Sequence, residues 1–124
     1  MIVLDPGRLF DALGTTIDLD PVAAEQVVAG APRTGFRRLD DSAGEADGQE
    51  VGVWEMTPGA MRDTESDELF IVLSGRAHVA FRSAPGVAPP PAPINLAPGS
   101  IVRLTAGMQT IWTVSETLRK VYIA

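Results

Sequence analysis

The stretch Asp67-Glu68-Leu69-Phe70-Ile71-Val72-Leu73-Ser74-Gly75-Arg76-Ala77 decides how the chain is read. Five apolar residues stand between a pair of acids and a Ser-Gly turn. This is a short buried strand, too brief for a packed helix. Similar runs recur on either side: Gly35–Leu39, Glu50–Thr57, Arg76–Arg82, Ile101–Leu104, Met108–Val114 and Arg119–Ile123. Between them lie Thr57-Pro58-Gly59, Ser74-Gly75, Ala97-Pro98-Gly99 and Ala106-Gly107, each a turn signal. Short strands at near-regular spacing with glycine turns predict a small all-β barrel or sandwich. No long amphipathic helix separates them, which disfavours a parallel α/β sheet.

Residues 1–30 read differently. Asp20 as N-cap, Pro21 at the first helical position, Val22 to Val28 and then Gly30 predict a short helix. Asp5-Pro6 ahead of Arg8–Gly14 suggests one more helical turn. The expected organisation is an N-terminal segment over 1–30 and a β-barrel domain over 31–124. Ser83–Pro93, rich in proline, reads as a long extended loop between two strands.

With 124 residues the chain is one ordinary domain, large enough for a core of its own. Sixteen acidic against ten basic residues give a formal charge of −6. Nucleic-acid binding is disfavoured, because phosphate neutralisation needs a basic surface and the cluster Arg33, Arg37, Arg38 runs straight into Asp40 and Asp41. The absence of cysteine excludes disulfides, thiol catalysis and cysteine-ligated metals. No apolar run approaches a membrane span and the first residues carry no basic leader, so no membrane partner and a cytoplasmic location are expected. Phosphate-binding glycine loops and a nucleophile elbow are missing as well.

A family likeness emerges from two longer stretches. Gly52-Val53-Trp54-Glu55-Met56-Thr57-Pro58-Gly59 followed by Asp67–Ala77 resembles the first half of a cupin. Pro98–Val114 resembles the second half, and Glu116-Thr117-Leu118-Arg119-Lys120-Val121-Tyr122 extends it. Together they resemble the cupin subgroup that includes ureidoglycine aminohydrolase domains and the ethanolamine-utilisation cupin, over about residues 30 to 123. The resemblance implies a double-stranded β-helix, or jelly-roll barrel, with a cup open at one end, and a homodimer.

It also implies where a metal would be held. Glu68 matches the family's glutamate, with six residues before Gly75. The two preceding histidine positions fall on Arg62 and Thr64 with one permitted spacing, and on Met61 and Asp63 with the other. The third histidine position falls on Thr110. The chain's single histidine, His78, lies on the Arg76–Arg82 run beside arginines and reads as a surface residue. No metal and no cofactor are therefore expected, since imidazole ligands are what such a site needs. Asp63, Glu65, Asp67 and Glu68 offer oxygen ligands for a hard ion, or simply a solvated acidic loop.

In a cup without metal, Glu68 needs a partner, and Arg62 is the expected one. Alternation places Met108, Thr110 and Trp112 on one strand face, and Trp54 faces them from another strand. The candidate ligand-binding residues are thus Arg62, Thr64, Thr110, Trp54, Trp112 and Met108, with Glu68 the candidate acid or base. Arg103, Arg119 and Lys120 are expected at the surface, one of them paired with Glu116; the alternative is a cation at the cup mouth that recognises a carboxylate or phosphate. The leading expectation is a cup that binds a small metabolite. An enzyme of nitrogen or organic-acid metabolism and a structural or interaction module are the alternatives.

Overall fold

The computed structural model describes residues 2–40 and 50–124. Among these residues the chain forms ten strands and no helix. In chain order they are β1 (Ile2–Val3), β2 (Asp20–Pro21), β3 (Val27–Ala29), β4 (Arg33–Asp40) and β5 (Val51–Met56), then β6 (Gly59–Thr64), β7 (Glu68–Ser83), β8 (Ile94–Leu96), β9 (Ile101–Leu104) and β10 (Gln109–Ile123). Strand β10 is the spine. Along one edge its second half pairs with β5, Leu118 opposite Met56 and Ile123 opposite Val51. Its first half pairs with β6, Gln109 opposite Thr64 and Val114 opposite Gly59. Along the other edge it runs antiparallel to β7 over nearly its whole length. β8 and β9 extend the sheet from β7, β4 extends it from β5, and β3 from β6. A sheet curled so that one strand serves both halves is the jelly-roll barrel that the resemblance implied.

The two longest strands were expected as four shorter ones. They stay continuous because the Ser74-Gly75 turn signal is used for a bulge instead. On β7, Phe70 and Val72 face the interior before the irregularity and Ala77 and Val79 after it, so the inward set changes from even to odd residues. An inward set of constant parity would have turned Ala77 and Val79 out to solvent. The pairing of β7 with β10 shifts register at this point. Gly75 has φ +93°, and a side chain there would collide with the backbone of Thr117 and Leu118. The barrel interior is filled by Trp112, Phe70, Met56, Leu104, Leu118 and Val79, all fully buried.

The helix expected over Asp20–Gly30 does not form. Asp20 and Pro21 pair with Thr34 and Arg33, the chain makes one turn with Gln26 N–H bonded to the Ala23 carbonyl (2.8 Å), and Val27 and Ala29 then line up with Met61 and Ala60. A helix of two turns has few bonds to offset its nucleation, whereas sheet edges here satisfy the same backbone groups. The first segment, around Arg8–Gly14, likewise shows only isolated turn bonds. The proline-rich stretch is, as expected, a loop, joining β7 to β8.

Residues 12–17 cross the outer face of β4, β5 and β10. Arg119 points outward from β10 into this strap. Its guanidinium donates to the carbonyls of Ala12 (3.2 Å), Leu13 (2.9 Å) and Thr15 (2.6 Å), and pairs with Glu55 at 2.7 Å. Arg119 is therefore buried, not at the surface beside Glu116, which pairs with Arg76 instead. Ile17 and Val53 lie buried in the same layer. Replacing Arg119 by Met strands Glu55 and three carbonyls, and is expected to cost about 2–3 kcal/mol. Urea melts should show that loss, and amide exchange should speed up first within residues 12–17.

Candidate functional site

The cup opens between the β5–β10 and β6–β10 halves of the barrel and encloses about 310 Å³. Even-numbered residues of β10 face inward: Thr110 and Trp112 from its first half, Lys120 and Tyr122 from its second. Met61 and Asp63 point in from β6, Trp54 from β5 and Glu68 from the start of β7. Glu65 and Ser66 follow β6 in a loop pinned to the turn before β10, with Glu65 N–H on the Met108 carbonyl (2.8 Å) and Gly107 N–H on the Glu65 carbonyl (2.9 Å). Phe36, exposed, and Glu50 flank the mouth. Gly52 leaves room for the Tyr122 ring, which would collide with any side chain at that position.

At the centre stands Lys120. Its ammonium lies 2.7 Å from Glu68 Oε2 and is enclosed by three rings, 4.3 Å from the centroid of Phe70, 4.7 Å from Trp54 and 4.8 Å from Trp112. Only 6% of its side chain is exposed. The rings hold one another as well: Trp112 is tilted at 5.7 Å from Trp54 and at 5.6 Å from Phe70. Trp112 is locked further by its indole N–H, which donates to Glu65 Oε2 (2.9 Å), and Thr110 Oγ1 donates to the same oxygen (2.6 Å).

The remaining carboxylates make the cup acidic. Asp63 is raised from 3.8 to about 6, first by burial and next by the charge of Glu65; Glu68 adds to this, while the Thr64 N–H and Lys120 oppose it. Tyr122 donates to Glu50 Oε2 at 2.7 Å. Burial, then this bond, pushes the Tyr122 phenol well above its ordinary range. Tyr122 thus serves as a donor throughout the physiological range.

Of the residues singled out in the sequence, Glu68, Trp54 and Trp112 come together on the cup wall, and Thr110 stands behind it on Glu65. Met108 is buried in the core, with its sulfur near the Thr105 N–H (3.5 Å), outside the cup lining. Arg62 and Thr64 face away. Arg62 reaches the Glu25 carbonyl (3.4 Å), and Thr64 Oγ1 bonds to Gln109 (3.0 Å). Of the two spacings open in the sequence, the one through Met61 and Asp63 points inward, because alternation along β6 is unbroken. The partner of Glu68 is accordingly Lys120, not Arg62, and Lys120 is buried rather than at the surface.

Asp63, Glu65 and Met61, which the sequence offered only as alternative motif positions or as oxygen ligands for an ion, line the cup, and so does Tyr122, to which the sequence assigned no role. The signal for Lys120 and Tyr122 was present: they share the parity of Thr110 and Trp112 on the last strand. His78 is on the outer face, as expected, with Nδ1 3.0 Å from Asn95 Oδ1.

The positions that hold a metal in the family are occupied here by Met61, Asp63, Glu68 and Thr110. This set does not fit a transition-metal site. Thr110 is committed to Glu65, Glu68 is paired with Lys120, and the nitrogen present is an ammonium, which offers donors and no lone pair. Asp67, the fourth acid of the possible hard-ion set, points to the Ala106 N–H (2.9 Å) instead. Among the described residues no group of three or more acids or histidines gathers closely enough to hold an ion.

Comparison with known proteins supports the same architecture. The family model described as EutQ-like cupin domain matches residues 43–122. No curated protein sequence matches. Among solved structures, the EutQ protein of Clostridium difficile superposes with a TM-score of 0.58 at 16% identity, covering 74% of this chain and 67% of that one. A protein of unknown function from Pseudomonas syringae pv. tomato gives 0.69 at 21% identity over 91% of this chain, which spans 45% of that protein. A cupin superfamily protein from Desulfitobacterium hafniense gives 0.53 at 15% identity, covering 73% and 75%.

Asp63 makes the cup pH-sensitive. Its proton is held more tightly in the folded chain than in the unfolded one, so this group favours folding below about pH 4, and that contribution is lost as pH rises through about 6. At pH 7 the ionised carboxylate opposes folding. Asp63→Asn is expected to stabilise the protein by on the order of 1 kcal/mol at pH 7 and to make no difference near pH 4. Denaturant melts of both proteins at the two pH values measure this.

Proposed function

The chain belongs to the EutQ-like cupin domain family, and from that premise we propose that its cup binds a small organic molecule without a histidine-ligated metal. The observation that carries this reading is the cavity itself. Its volume of about 310 Å³ suits a molecule of metabolite size, and its wall combines Trp54, Trp112 and Met61 with a few fixed polar groups. Aromatic faces supply contact area, while Lys120, Tyr122 and the carboxylates set orientation. Glu50, Glu65 and Glu68 hold Tyr122, Trp112 and Lys120 in the wall, whereas Asp63 turns a partly desolvated carboxylate into the cavity with the Thr64 N–H as its one hydrogen-bond partner among the described residues, a cost that packing alone does not offset.

Screening the wild-type protein against a panel of small amides, amines, acids and alcohols by thermal shift tests the proposal. Hits are expected, and Trp54→Ala, at a half-buried wall position, should weaken them at least tenfold with the fold intact by circular dichroism. Hits that survive Trp54→Ala unchanged would place the ligand elsewhere.

A second reading, chemistry on the bound molecule, is favoured by one observation. Asp63 titrates near pH 6, where a carboxyl can both take and give a proton, and Glu68 shares its cavity. Any turnover found should then follow an ionisation near pH 6 that disappears in Asp63→Asn, while Glu68→Gln abolishes the rate.

A further inference from the structure

The cup contains a cation of its own. An ammonium with one carboxylate and three aromatic faces around it is how proteins recognise a bound organic cation. Here the guest is part of the chain. The position is costly to build, because a charge with only 6% of its side chain exposed must be compensated for lost water. The compensation is incomplete. Lysine has three N–H donors, and among the described residues Glu68 is the one hydrogen-bonding partner of Lys120. The rings attract the charge but accept no strong hydrogen bond. Lys120 lines the cavity, so spare donors meet the space where a ligand would lie.

We propose that Lys120 is the built-in cation of this cup, standing in for the metal ion that its ligand set does not fit, and that its spare N–H donors receive an uncharged carbonyl oxygen of the ligand. The charge balance selects the uncharged group. Glu50, Asp63, Glu65 and Glu68 share the cavity with this single ammonium. A carboxylate ligand would bring a fifth negative charge into that space, whereas an amide or ketone oxygen accepts the hydrogen bond without it. The N–H groups of an amide would in turn find acceptors in the neighbouring carboxylates. The proposal rests on the cup being the binding site.

Lys120 is the chain's sole lysine, so a lysine label gives one side-chain signal. Wild-type protein carrying 13Cε,15Nζ-lysine and 15N-indole tryptophan is titrated with propionamide, with propionate of nearly the same shape, and with zinc ion. Ring currents from the three aromatic groups should displace the lysine signal from its random-coil position. Propionamide should shift it saturably, together with the tryptophan indoles. Propionate should bind at least tenfold more weakly, and zinc should leave the lysine signal in place. Lys120→Met, which keeps the apolar stem, should weaken propionamide at least tenfold at the indoles.

Three results overturn the proposal. In one, zinc moves the lysine signal and saturates at one equivalent. In another, propionate binds as well as propionamide. In the last, the lysine signal is silent to propionamide. If the indoles still respond in that case, the cup binds and only the role of Lys120 falls. If they do not, the wider panel decides the fate of the cup separately. The wild-type titrations stand even if Lys120→Met fails to fold.

Discussion

The ion pair between Lys120 and Glu68, set inside Phe70, Trp54 and Trp112, is the constraint around which the barrel is organised. Two charges removed from water are stable only with close geometry and a polarisable surround. Each requirement reaches into a different strand. Glu68 opens β7, Phe70 follows two residues later on the same face, Trp54 comes from β5, and Trp112 and Lys120 come from opposite halves of β10. The contact between β7 and β10 is therefore electrostatic as well as hydrophobic.

Strand β10 accomplishes this by alternation within each of its halves, interrupted at the exposed Glu116. Its even residues run Thr110, Trp112, Val114, Leu118, Lys120 and Tyr122 into the interior, from one sheet half to the other. The odd residue beside Lys120 is Arg119, which is buried on the opposite face by the N-terminal strap. Two adjacent basic residues thus serve unlike ends. One binds carbonyls and holds the strap to the sheet, and the other places a charge in the cup. Their separation follows from the pleat, in which successive side chains leave opposite faces.

The longer strands were legible from the apolar runs, whereas β6, which turns Met61 and Asp63 into the cup, and the short β8 were not. Ile101–Leu104 is reproduced residue for residue, and the runs ahead of Met56 and Leu39 differ by a residue or two. The continuous β7 and β10 were not legible, because Ser74-Gly75 has the local chemistry of a turn and only pairing with β10 makes it a bulge. The N-terminal helix was over-read for a related reason. Asp20-Pro21 has the residues of a helix start, but the partners waiting on β4 and β6 satisfy the same backbone groups. At the cup, Glu68, Trp54 and Trp112 were found because motif spacing and alternation agree. Arg62 and Thr64 were chosen over Met61 and Asp63 because the loop before Glu68 admits two lengths, and a one-residue slip exchanges the faces of a strand.

By itself, then, the amino-acid order determined the all-β class and the lack of imidazole for a metal, and its resemblance to the cupin motif pointed to Glu68. These depend on residue type and on spacing within one strand, which the chain carries locally. Tertiary structure decided that Lys120 is inside and Arg62 outside, that Arg119 is a clasp, and that Asp63 is half-buried beside Glu65, which raises its carboxyl to about 6. Lys120 and Glu68 are 52 residues apart in the chain. Whether such a pair meets depends on the register of three strands and on one bulge, and no local pattern in the sequence specifies those together.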